Sequence, residues 1–91
     1  MPVNKNATIR YKFLDDLLSD RHHHYTMANL TEKVNDRLYD LGYSEVTKRC
    51  IEKDVEFLQE RPFCAPIEKF SSAGKDCYRY RNSGFSIFSH E

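Results

Sequence analysis

The segment from Val46 to Leu58 constrains the fold more than any other stretch of the chain. Thr47 can cap a helix, because its hydroxyl accepts a hydrogen bond from an early helical N–H. Ile51, Val55 and Leu58 then recur at i, i+4 and i+7 and make one apolar face. Lys48, Arg49, Glu52, Lys53 and Glu56 take the remaining surface. Such a helix buries one side and offers a mixed, basic-leading side at its N-terminal end.

Two helices are expected before it. Residues 6–19 carry Ile9, Phe13, Leu14, Leu17 and Leu18 in a broad apolar stripe, with Asn6 as cap and Tyr11 near the edge. Lys5, Arg10 and Lys12 cluster at the start of this helix, where positive charge opposes the helix dipole. They serve either solubility or phosphate contact. Residues 26–41 form the second helix, capped by Thr26, with Leu30, Val34, Leu38 and Leu41 inward and Gly42 ending it. Val46 lies just before the third cap, placed to pack down as a hydrophobic staple. The connector from Arg21 to Tyr25 holds His22, His23 and His24. Adjacent histidines in a loop cannot all point at one ion, and no CxxC or HxxxH spacing accompanies them, so no metal site is expected. A solvated loop is the reading, with His23 or His24 able to meet a phosphate.

Beyond the third helix (residues 47–60), Pro62 and Pro66 enforce extended chain. Residues 66–70 alternate apolar and polar, 71–76 read as a turn, and 77–81 alternate again. On the second strand either Cys77, Arg79 and Arg81 share one face or the tyrosines do. We expect Tyr78 and Tyr80 against the helices and Lys75, Arg79 and Arg81 exposed. The tail, residues 82–91, carries Phe85, Ile87 and Phe88, which either pack back on the first helix or meet another domain or subunit. The whole, residues 1–91, reads as one α+β domain: a three-helix winged helix-turn-helix with a C-terminal two-stranded β-hairpin wing over residues 66–81. In that arrangement the third helix is the reading helix, whose first turns meet base edges and phosphates in the major groove.

Composition narrows the function. With 91 residues, 40% hydrophobic and 31% charged, the chain suits one globular domain. No apolar run approaches the ~20 residues that cross a bilayer, and the first residues lack the apolar core of a secretory signal. A cytoplasmic protein with no membrane partner is expected. Net charge is zero, which disfavours a strong nucleic-acid binder, but the first twelve residues and the span from Lys75 to Arg81 lean basic. Acids gather at Asp15, Asp16, Asp20 and from Glu32 to Asp40. Cys50, Cys64 and Cys77 are unpaired by spacing and read as reduced thiols. No nucleophile–base pair, Gly-rich phosphate loop or paired carboxylates stand at informative spacing, so an enzyme is not expected, nor a cofactor. Asp15, Asp16 and Asp54 read as solvated or capping residues, with Asp54 also able to pair with a base on a neighbouring helix.

Four segments resemble one family. They are Asn4-Lys5-Asn6-Ala7-Thr8-Ile9-Arg10-Tyr11-Lys12, Tyr25-Thr26, the stretch from Val46 to Val55, and Tyr78-Arg79-Tyr80 followed by Phe85-Ser86-Ile87. In order and spacing the chain resembles the N-terminal winged helix-turn-helix domain of the WYL-domain transcriptional regulators, of the Bacteroidetes-like branch. The resemblance implies sequence-specific binding of double-stranded DNA by a bacterial regulator, usually dimeric, with a ligand-sensing second domain. It implies phosphate and base contacts at Thr47, Lys48, Arg49, Glu52 and Lys53, with Lys75 and Arg79 from the wing. Cys50 stands where the family favours Thr, and Glu52 where it often has Gln.

Two other readings compete. A protein-interaction or dimerisation module on the same fold would use Phe85, Ile87 and Phe88 and have little DNA affinity. A metal- or redox-responsive repressor would use His22 to His24 and the cysteines and would bind zinc stoichiometrically.

Overall fold

The computed structural model describes residues 7–82 and 84–88. Three helices precede a hairpin: α1 (Ala7–Leu18), α2 (Met27–Asp40), α3 (Lys48–Gln59), β1 (Ile67–Ser72) and β2 (Lys75–Tyr80). This is the winged-helix α+β order expected from the sequence. The expected cap Asn6 lies outside the described residues.

Local chemistry starts and stops α2. Thr26 accepts from the Asn29 N–H at 3.0 Å, and the Asn29 side chain accepts from the Thr26 N–H at 3.1 Å, closing a reciprocal cap on α2. At its other end Gly42, at φ +83°, turns the chain. The Tyr43 N–H then reaches the Leu38 carbonyl and the Gly42 N–H the Tyr39 carbonyl, which satisfies carbonyls the helix leaves open.

The apolar stripes meet in one core, except that Leu41, expected inward, caps the end of α2 and is 57% exposed. Leu14 and Leu18 of α1, Leu30, Val34 and Leu38 of α2, and Ile51 and Leu58 of α3 are fully buried. Tyr80 of β2 closes the core from the wing side. Each such side chain contributes about 1.5–3 kcal/mol over its exposed state, so this cluster holds the helices at fixed angles to one another.

The wing is tighter than the expected turn at residues 71–76. The strands pair antiparallel from Ile67↔Tyr80 to Ser72↔Lys75. Only Ala73 and Gly74 remain between them, both at positive φ (53° and 79°), the backbone that short hairpin turns use. The Tyr78 N–H also donates to the Tyr25 carbonyl at 2.9 Å, tying β2 to the connector before α2.

The faces of β2 also depart from the expectation. Tyr80 is buried and Tyr78 packs on the core, but Cys77 is buried as well. Its face has a cover of its own. Arg79 lies over the Phe70 ring at 4.2 Å, and His24 meets the same ring edge-on at 5.0 Å.

The tail folds back. The Phe85 ring stands 4.8 Å from that of Tyr80. Asp15 accepts from Tyr80 Oη at 2.7 Å, Ser86 Oγ at 2.7 Å and the Ile87 N–H at 3.0 Å. Asp15 is therefore no solvated residue: at 6% exposure it is a buried acceptor that holds β2 and the tail to α1.

Candidate nucleic-acid interface

The start of α3 is held from two sides. The Thr47 hydroxyl accepts from the Cys50 N–H at 3.2 Å, as a cap should. Asn35 of α2 grips the residue before it: its side-chain oxygen accepts from the Val46 N–H at 2.8 Å and its amide donates to the Val46 carbonyl at 2.9 Å. The turn between the helices thus has its last residue fixed by both backbone groups.

With Ile51, Val55 and Leu58 buried, helical spacing sends Arg49, Lys53 and Glu56 outward, with Lys48 and Glu52 on one flank. Thr47, Lys48, Arg49, Lys53 and Glu56 are exposed and Glu52 is half-buried. Among the described residues, Lys48, Arg49, Glu52, Lys53 and Glu56 make no side-chain hydrogen bond or ion pair. Side chains of both signs stand free on one helix face.

On the α1 side of this face an open depression of about 390 Å³ is lined by Arg10, Thr47, Arg49, Cys50, Lys53 and Asp54. Its floor is an ion pair. Arg10 donates through Nε to Asp54 Oδ2 at 2.6 Å and through Nη2 to Asp54 Oδ1 at 3.1 Å. Both residues are nearly enclosed, with 5% and 7% of their side chains exposed. The hydrogen bond to Asp54 holds the Arg10 guanidinium in its charged form, against the cost of burial. With Asp54 offsetting Arg10, Arg49 and Lys53 leave the depression net positive, suited to an anionic oxygen.

Arg10 was expected to stand outward, serving either solubility or phosphate contact. At 4% exposure it is instead a buried clamp between α1 and α3. Asp54 takes the pairing role rather than the solvated one. Arg79, expected to be exposed, pairs with Glu68 at 2.7 Å and covers Phe70. Lys75 stands exposed beside the wing turn. Lys5 lies outside the described residues. Sequence reasoning missed Asn35, which carries no local signal; Glu56 shares the outward face of α3 as expected.

Burial first, then the negative charge of Asp54, pushes the Cys50 thiol up, so it is not a ready thiolate. His23 bonds Asp20 at 2.9 Å and His24 bonds Ser72 at 2.8 Å. Among the described residues no three His, Cys, Asp or Glu side chains gather to hold a metal, and no helix is long and apolar enough to cross a membrane.

The family model described as the N-terminal winged helix domain of WYL domain-containing proteins matches residues 6–81. The chain belongs to this family. No curated protein and no solved structure matches it. The WYL winged helix match runs from before α1 through the end of β2. It therefore covers the helix pair, the free face of α3 and the wing together. Membership indicates a DNA-binding, regulatory role, in a family that is in general not enzymatic.

Proposed function

We propose that this chain binds double-stranded DNA sequence-specifically, as the DNA-binding domain of a transcriptional regulator. The observation that carries the reading is the outward face of α3, where Lys48, Arg49 and Lys53 make no side-chain hydrogen bond or ion pair among the described residues while the helix start is locked by Thr47 and Asn35. Lys48 and Arg49 meet guanine edges or phosphates, and Thr47 and Lys53 hold the backbone. Lys75 reaches a neighbouring phosphate from the wing. Arg79 contributes by stiffening the wing through Glu68 and Phe70.

In this role the protein works in the cytoplasm of a bacterium, as part of a regulator with a ligand-sensing domain. Two copies on paired half-sites raise the effective concentration of a module that binds weakly alone.

The interaction-module reading would have to use what remains of its surface. Phe85 and Ile87 are half-buried against the core, and Phe88 alone of the three is exposed, at 39%. The test is the salt dependence of binding to a labelled duplex. Each phosphate neutralised adds about −0.9 to the slope of log K against log salt, so the three α3 cations and Lys75 give a slope of roughly −2 to −4. A slope near zero contradicts the proposal.

A further inference from the structure

The geometry points to Glu52 as a specificity-determining residue that selects cytosine at one position of the bound duplex. This rests on the DNA-binding reading of α3 and deepens it.

Glu52 lies one turn beyond Lys48 and Arg49 and next to Lys53, on the free side of α3. Opposite charges at i, i+4 can pair on a helix surface. Among the described residues Glu52 pairs with none of them. It is half-buried, so its reach is narrower than that of a side chain standing fully in water. A carboxylate carried into a duplex by three cations meets phosphates that repel it. That repulsion is offset only where a hydrogen-bond donor faces it.

In the major groove the donors are the amino groups of cytosine and adenine. Adenine sets its N7 acceptor beside the amino group, and the second carboxylate oxygen would face that acceptor. Cytosine has no acceptor of its own beside the amino group, only C5–H, so its amino group has an acceptor on one side alone, the O6 of its paired guanine. An ionised glutamate accepts only, so cytosine fits it best. Arg49, one turn earlier, is of the type that takes O6 and N7 of guanine. The two side chains together favour a site containing G·C pairs.

The experiment selects duplexes from a pool with a randomised central stretch, using the wild-type chain and Glu52→Gln. Glutamine keeps the shape, adds a donor, and suits the N6 and N7 edge of adenine. The enriched wild-type sequence is expected to hold a C·G pair that becomes A·T for Glu52→Gln, all other positions unchanged. In direct titration at one salt concentration, wild type prefers the cytosine duplex by about tenfold and the variant reverses the order.

Identical enriched sequences from both proteins overturn the assignment and leave the DNA reading standing. Loss of the preference for that pair without a switch to A·T also overturns it, because Glu52 would then only brace Arg49. Salt-dependent binding by the wild type with no enriched sequence overturns the assignment too. Absence of salt-dependent binding by the wild type overturns the DNA reading itself, and this inference with it.

Discussion

Asn35 holds Val46 by both of its backbone groups, accepting from the N–H at 2.8 Å and donating to the carbonyl at 2.9 Å. One side chain of α2 thereby sets where α3 begins. Val46 is half-buried, so neither backbone group is freely repaired by water. Asn35→Ala removes both bonds and is expected to cost about 2 kcal/mol, read as a lower urea midpoint with unchanged slope. Asn35→Asp keeps the acceptor for the N–H and loses the donor, so it should fall between the two. Equal stability of Asn35→Ala and wild type would show that the clamp contributes nothing.

The Arg10–Asp54 pair makes a larger prediction. Both partners are enclosed, and removing Asp54 takes away the carboxylate that accepts two hydrogen bonds from the buried Arg10 guanidinium. Asp54→Ala is expected to destabilise the domain by about 3–5 kcal/mol. Arg10→Met/Asp54→Leu, which replaces the pair by apolar groups, should recover most of that loss. Chemical denaturation of the two variants checks it. A loss below about 1 kcal/mol for Asp54→Ala would place the pair among ordinary surface contacts.

Asp20 predicts an acid transition. The His22 N–H, then the His23 ring and the Tyr25 hydroxyl, hold its carboxyl at about 2, below the ordinary 3.8. A depressed folded-state value means its contribution is present above pH 3.8 and is lost as pH falls toward about 2. Asp20→Asn should therefore be less stable than wild type at neutral pH and lose less stability through that window. Thermal melts across it measure the difference. Parallel curves for the two proteins would exclude the role.

Tyr80 predicts the alkaline counterpart. Burial first, then the hydrogen bond to Asp15, pushes its phenol well above the ordinary 10. The folded state keeps the proton while the unfolded chain releases it, so stability from this group holds below pH 10 and declines above it. Tyr80 should be the last tyrosine to ionise in an absorbance titration. Tyr80→Phe should remove that late step. If the late step persists in Tyr80→Phe, it belongs to another tyrosine.

The elements were legible because their signals are local. Thr26 and Thr47 cap helices from their own sequence positions, and the stripes through Leu30 and Ile51 repeat at helical spacing. The wing was readable from its alternation, though the tight turn at Ala73 and Gly74 was not, because alanine seldom marks a positive φ. The polar interior was hidden for a different reason. Whether Arg10, Asp15 or Asp54 is solvated depends on a partner far along the chain: 44 residues separate Arg10 from Asp54, and 65 separate Asp15 from Tyr80. The charge and helix position of such a residue read the same whether it is solvated or buried; only the fold decides. The site was legible to the extent that α3 was, since its free cations sit where helical spacing puts them.

The central claim is that the free face of α3 carries DNA binding. The direct test titrates the chain into labelled duplex at two salt concentrations, beside a Lys48→Ala/Arg49→Ala/Lys53→Ala variant. These side chains have no intramolecular partners among the described residues, so the variant should fold like wild type. The account predicts salt-sensitive binding by wild type and its loss in the variant, at least tenfold at the lower salt. Equal binding by the two proteins would contradict it and move the contact to α1 or the wing.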